Sequence, residues 1–127
     1  MSEKPKILIV EDNPDNLETF LTFLEFYHYP VRQATDGEEA IAAVLEEQPD
    51  VIFLDLSLPK IDGWEVARQI RSAPDNNRIV IIAFSAMALP KEMERALDAG
   101  CDSFISKPLP PDILLEEMNK ILEQRNR

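Results

Sequence analysis

The stretch Val51-Ile52-Phe53-Leu54-Asp55 decides the fold. Four apolar residues run together and a carboxylate ends them. A strand with one wet face alternates apolar and polar residues. A strand without alternation is buried on both faces, as in a parallel sheet covered by helices on each side. Two more runs of this kind flank it, Ile7-Leu8-Ile9-Val10 and Ile79-Val80-Ile81-Ile82-Ala83-Phe84. Val31 to Ala34 and Ser103 to Ser106 are weaker runs of similar length.

The segments between carry helix punctuation. Asn13-Pro14 places a capping residue before a proline at the first helical position. Leu17, Phe20, Leu21 and Leu24 follow at helical spacing. Thr35-Asp36-Gly37-Glu38 has the spacing of a capping box, ahead of an expected inward stripe of Ala40, Ile41, Val44 and Leu45 that Pro49 stops. Gly63 precedes a helix over Trp64 to Ile70, and Ser72 to Asn77 reads as a loop. Pro90 opens a helix with Met93, Ala96 and Leu97 expected inward, and Gly100 closes it. Pro110-Pro111-Asp112 leads into the last helix, with Leu114, Leu115, Met118, Ile121 and Leu122 on its apolar side and a fraying tail from Gln124 to Arg127. The order is βα repeated five times. Regular alternation implies a parallel sheet with right-handed crossovers, and hence an α/β fold.

The chain has 127 residues, enough for one domain that buries roughly two-thirds of its unfolded surface. The expectation is a single domain over residues 1–127, with no linker, repeat or second domain after residue 124. No apolar run approaches the ~18 residues of a membrane span. Met1 to Lys6 lacks a small-residue cleavage region, so it does not read as a signal peptide. The single cysteine, Cys101, excludes an internal disulfide and reads as a small buried apolar residue. A cytoplasmic location is expected. Acidic residues outnumber basic ones 24 to 13, for a net charge of −11. That charge repels nucleic acid and anionic membrane and favours cations and basic partners.

In an open parallel sheet, ligands bind at the carboxyl ends of the strands, near the point where strand order reverses. Each of four runs delivers a polar group there: Glu11 and Asp12, then Asp55, Ser85 and Lys107. Three carboxylates this close cannot all stay ionised without a compensating cation, and Lys107 supplies one charge. A hard divalent ion with oxygen ligands answers the excess. Mg²⁺ fits, because it takes one or two carboxylates directly and leaves positions for waters and substrate oxygens. A carboxylate can act as nucleophile to form an acyl phosphate. Catalysis of phosphoryl transfer is mainly positioning and charge compensation. Asp55, on the central strand, is the expected nucleophile. Lys107 and Ser85 are the expected partners of the phosphoryl oxygens.

These residues stand in four motifs: Ile9-Val10-Glu11-Asp12-Asn13, Phe53-Leu54-Asp55-Leu56-Ser57-Leu58-Pro59-Lys60-Ile61-Asp62-Gly63, Ala83-Phe84-Ser85-Ala86 and Ser106-Lys107-Pro108. In this order and at these spacings the chain resembles, over essentially its full length, the receiver domains of bacterial two-component response regulators. The resemblance implies a flavodoxin-like doubly wound five-stranded sheet in the order 2-1-3-4-5. It implies that a sensor histidine kinase or a histidine phosphotransfer protein phosphorylates Asp55. Asp12 and Asp55 would bind Mg²⁺ directly (Mn²⁺ being an acceptable substitute), together with the backbone carbonyl of Ser57, and Glu11 would act through water. Lys107-Pro108 would be a cis peptide. Ser85 and Phe104 would form a switch pair, Ser85 moving toward the phosphoryl group and Phe104 turning inward. A downstream protein would read the change on the face of the fourth helix, fifth strand and fifth helix, with no direct nucleic-acid or membrane contact. Three positions depart from the common pattern. Serine stands at 85 where threonine is frequent, and phenylalanine at 104 where tyrosine is frequent. At 57 a small polar residue stands where the family tunes acyl-phosphate hydrolysis.

Other residues have plainer readings. Gly63 and Pro59 read as loop geometry, Trp64 as packing at a helix start, and His28 as a surface residue. Phe23, Phe26, Tyr27 and Tyr29 read as local packing or as a face for kinase helices, and Met87 and Leu89 as candidates for a partner surface. A Mg²⁺-dependent phosphatase with an aspartyl nucleophile is the rival function. It expects an acid two residues after the nucleophile, where Ser57 stands. A flavodoxin-like cofactor binder would need a Ser-, Thr- or Gly-rich phosphate loop where Glu11-Asp12-Asn13 stands. A receiver that works without phosphorylation would have no use for the complete acidic and basic set.

Overall fold

The structure, a computed structural model, describes residues 4–86, 89–108 and 110–125. Residues 1–3, Met87 and the tail residues 126 and 127 lie outside them.

Five strands, β1 (Ile7–Val10), β2 (Val31–Ala34), β3 (Val51–Asp55), β4 (Val80–Ser85) and β5 (Ser103–Ser106), form one parallel sheet in the order β2-β1-β3-β4-β5. Five helices alternate with them: α1 (Pro14–Phe26), α2 (Gly37–Glu46), α3 (Gly63–Arg71), α4 (Pro90–Asp98) and α5 (Pro111–Arg125). The all-apolar runs are the three central strands, buried at every position. Alternate residues feed opposite layers. Ile7, Ile9, Val51, Phe53, Val80, Ile82 and Phe84 pack with Leu17, Phe20 and Leu24 of α1 and Leu114 and Met118 of α5. Leu8, Val10, Ile52, Leu54, Ile81 and Ala83 pack beneath α2, α3 and α4. Phe53 is wholly buried. Its truncation to alanine would remove about 3–5 kcal/mol, a large share of a small domain's stability.

The caps follow side-chain chemistry. Asn13 Oδ1 accepts from the N–H groups of Asp15 and Asn16 at 3.0 and 3.1 Å, starting α1 just past β1. The second helix is capped one residue later than the sequence spacing suggested. Asp36 Oδ1 accepts from Glu39 N–H at 2.8 Å, while Glu39 reaches back to Thr35 N–H at 2.9 Å. Asp36 wins the cap because its carboxylate is the stronger acceptor, and the Lys60 ammonium 3.3 Å away adds to that. The cap N–H of Glu39 and then Lys60 hold the Asp36 carboxyl below its ordinary value.

Three expectations are corrected. Leu45 is 80% exposed, because α2 meets the core through Ala40 and Val44. Met93 and Leu97 of α4 are also exposed, leaving Ala96 as that helix's buried residue. Helix α4 lies over β5, an edge strand, so the sheet offers it little apolar surface beyond that alanine and Ala99. Residues 72–77 are not plain loop, since Pro74–Arg78 forms a 3₁₀ turn.

Candidate functional site

Strand order reverses between β1 and β3, and the carboxyl ends of those strands carry the acidic residues. Glu11 leaves β1 with its N–H donating to Ala34 O at 3.1 Å, which turns its side chain into the fold, fully buried. Asp12, the next residue, is exposed. Asp55 ends β3 in register with Phe84 and is 2% exposed. Carboxylate oxygens of Glu11, Asp12 and Asp55 lie within 4.8 Å of one another.

The ammonium of Lys107 enters from the end of β5. Its Nζ lies 3.2 Å from Asp55 Oδ2 and 3.5 Å from Glu11 Oε1. Its backbone is tethered too, for Lys107 N–H donates to Ser85 O at 2.8 Å; the Lys107–Pro108 bond is cis. Asp55 Oδ1 accepts from Ser57 N–H at 2.9 Å. Glu11 Oε2 accepts from Asn13 N–H at 3.1 Å, whereas its buried Oε1 has the ion pair but no hydrogen bond among the described residues. Ser85 is buried at the end of β4.

Charge and burial set the protonation. Burial, then Asp55 nearby, push the Glu11 carboxyl up to about 7 against the opposing Asn13 N–H and Lys107. Burial also works against the Lys107 ammonium, but Asp55 and Glu11 outweigh it and hold Lys107 above its ordinary value. Burial is the largest cause of the Glu11 shift, and the excess of negative charge is read from the geometry, three carboxylates around one ammonium. The residues fit a hard divalent cation on two grounds: the all-oxygen donor set and the Glu11 oxygen without a hydrogen-bond donor.

Phe104 sits half-buried on β5, paired with Ala83 and packed against the α2–α3–α4 side of the core. Phe23, Phe26 and Tyr27 line a groove of about 780 Å³ along α1 whose rim carries Asp15 and Glu18. Tyr29 lies apart from it, under Lys4. Trp64 packs on the core with Arg95 of α4 stacked 4.1 Å from its ring centre, and its buried indole N–H has no partner among the described residues. His28 is exposed in a left-handed turn conformation.

Sequence reading overlooked one feature of this region. Gly63 lies against the backbone that follows Asp55, and no signal in a single sequence separates that from an ordinary loop glycine.

The family described as "Response regulator receiver domain" matches residues 7–119. Response regulator MprA of Mycolicibacterium vanbaalenii is 35% identical over 119 residues, which are 94% of this chain and 51% of that protein. This chain therefore spans about half the length of that relative. A two-component response regulator from Clostridium difficile superposes with a TM-score of 0.89 at 30% identity, covering 98% of this chain and 100% of the other. The receiver domain of a sensor histidine kinase from Pseudomonas aeruginosa, solved with a magnesium ion coordinated in the active site cleft, gives 0.84 at 32% identity over 93% and 97% of the two chains. Among the described residues, no helix is long and apolar enough to cross a membrane.

Proposed function

The chain belongs to the response regulator receiver domains, and from that premise we propose that Asp55 is its phosphoacceptor. Phosphorylation-based signalling is the general function of the family. The observation that carries the finer reading is the cluster of Glu11, Asp12 and Asp55 around one ammonium, Lys107. An oxygen of Asp55 attacks the phosphorus of a phosphohistidine on a kinase or phosphotransfer protein. The P–O bond forms as the P–N bond breaks, and the imidazole leaves to take up a proton. Water later cleaves the acyl phosphate and restores Asp55. The domain thus catalyses only its own phosphorylation and dephosphorylation.

Asp12, Asp55 and the Ser57 carbonyl would hold Mg²⁺ or Mn²⁺, with Glu11 acting through water. The ion, when bound, neutralises charge on the phosphoryl oxygens. The similar Pseudomonas receiver with its magnesium ion supports this assignment. The Lys107 ammonium compensates a second oxygen, and the Ser85 hydroxyl donates to a third. Ser85 and Phe104 form the switch, read by a downstream protein on the α4–β5–α5 face, where Leu89, Met93 and Leu97 stand exposed. The α1 groove is the docking place for the kinase or phosphotransfer helices. We take this receiver domain to work in the cytoplasm through protein partners, without itself contacting nucleic acid or membrane.

Labelling with acetyl phosphate and Mg²⁺, followed by intact-mass measurement, tests the reading. One added phosphoryl group is expected on the wild type and none on Asp55→Asn. Equal labelling of the two would overturn it. Steady turnover of small phosphomonoesters would instead favour the aspartyl phosphatase.

A further inference from the structure

Gly63 opens α3 and is buried against the end of β3. A Cβ built there would lie 2.5 Å from Leu56 Cα, 2.8 Å from the carbonyl oxygen of Asp55 and 2.8 Å from Leu56 Cδ2. Two of these three obstacles are backbone, which cannot swing aside as a long side chain does. Gly63 has no left-handed backbone to explain it, so space is the reason for a glycine here. The apposition is also bonded, since Gly63 N–H donates to Leu56 O at 3.2 Å. Asp62 caps the same helix through Glu65 N–H at 2.9 Å, which fixes where α3 begins.

The backbone held in this way is the one that carries the site. Asp55 immediately precedes Leu56 and Ser57 immediately follows it. Ser57 N–H in turn fixes Asp55 Oδ1. A shift of a few tenths of an ångström at Leu56 therefore moves the Asp55 carboxylate and the Ser57 carbonyl together. We infer that Gly63 is a positioning residue for the cation and phosphoacceptor site, its missing side chain setting the depth at which Asp55 and Ser57 stand. The inference rests on the proposed reading that those two groups face the cation.

Gly37 is a matched control. It too occupies the first position of a helix behind a capping aspartate, Asp36. A Cβ on it would meet Val66 Cγ2 at 2.7 Å and Ile61 O at 3.0 Å, and neither residue is a proposed ligand. Both Gly→Ala variants crowd the fold, but only one crowds the site.

The test measures Mn²⁺ affinity from the paramagnetic resonance signal of the free ion, on the folded 127-residue chain well below the melting transition. Both Gly63→Ala and Gly37→Ala should melt earlier than wild type. Gly63→Ala should weaken Mn²⁺ binding about 10-fold or more, the range seen when groups that orient metal ligands are disturbed, and Gly37→Ala by less than about twofold. Labelling by acetyl phosphate should slow in Gly63→Ala alone. If Gly63→Ala is unfolded, trimethylamine N-oxide restores the compact state for the same titration. Gly63→Ala binding Mn²⁺ as wild type does, or both variants losing affinity equally, overturns the inference while the site stands. Wild-type protein that binds no Mn²⁺ overturns the reading of the site and this inference with it.

Discussion

Two ionic clusters sit at opposite ends of the same sheet, and they differ in balance. At the amino end, the Asp102 carboxylate accepts from Arg71 Nη2 at 2.9 Å, from Ile81 N–H at 2.8 Å and from Arg125 Nη2 at 2.7 Å. Arg71 also donates to Gly100 O and Asn76 O, and Arg125 to Arg78 O. One carboxylate faces two guanidinium groups, and each of these also donates to backbone carbonyls. At the carboxyl end, three carboxylates face one ammonium, and a buried Glu11 oxygen has no hydrogen bond among the described residues. The first arrangement is complete by itself and ties α3, β4 and the end of α5 together. The second is complete only with a cation. Ionic residues thus serve stability where their hydrogen bonds are taken up by the fold and chemistry where a buried oxygen is left over.

The largest effect should come from breaking the closed cluster. Asp102→Ala strands two partly buried guanidinium groups and the Ile81 N–H, and should cost about 2–4 kcal/mol in urea unfolding. Mn²⁺ affinity should stay unchanged. A matching loss of metal affinity would show the two ends to be coupled.

The open cluster should respond to pH and metal. The Glu11 carboxyl titrates near 7 in the folded chain against an ordinary 4.5. A raised carboxyl adds stability that is fully present below the ordinary value and is lost as pH rises through the folded one. Stability without metal should therefore fall by about 1–3 kcal/mol between the two values, and Mg²⁺ should restore most of it on the alkaline side. Melting temperatures across this range, with and without Mg²⁺, check the sign. A Mg²⁺ effect equal at both ends would count against the charge excess.

Asp55→Asn should stabilise the metal-free protein by about 1–2 kcal/mol at alkaline pH, because it removes one of three carboxylates crowded within 4.8 Å of one another around a single ammonium. The opposite signs of Asp102→Ala and Asp55→Asn are the sharpest form of the comparison. The smallest effect belongs to neither cluster. Arg95→Ala removes the stack on Trp64 and a 3.9 Å ion pair to Asp62, and should cost about 0.5–1 kcal/mol.

The legible parts of the sequence are those where one residue type has one explanation. Runs such as Val51–Leu54, short, β-branched and alternating with helical segments, read as strands of a doubly covered sheet. A carboxylate or lysine at the end of such a run lands at one edge whatever the details, so the order of residues alone gathers Glu11, Asp12, Asp55, Ser85 and Lys107. Helix faces are less legible. Met93 and Leu97 keep helical spacing, but periodicity says only that a stripe exists, and the neighbour that should cover it is an edge strand. The cap of α2 falls one residue from its expected place because Thr35 and Asp36 are both good caps, and the stronger carboxylate acceptor of Asp36 is reinforced by Lys60, distant in sequence. The Asp102 cluster is hidden for the same reason. Its partners stand 31 and 23 residues away, and no local pattern joins them.

Cys101 lies between Gly100 and Asp102, buried, with burial pushing its thiol up to about 12. It is the only sulfhydryl in the chain. A thiol that is sealed and protonated reacts with a disulfide reagent only when its surroundings open, because the thiolate is the nucleophile. The native protein therefore carries its own clock. The rate at which Cys101 is consumed reports how often the α4–β5 corner opens, with no dye or added label, and comparing that rate with and without the phosphoryl group would time the edge of the sheet while the site at its centre is switched.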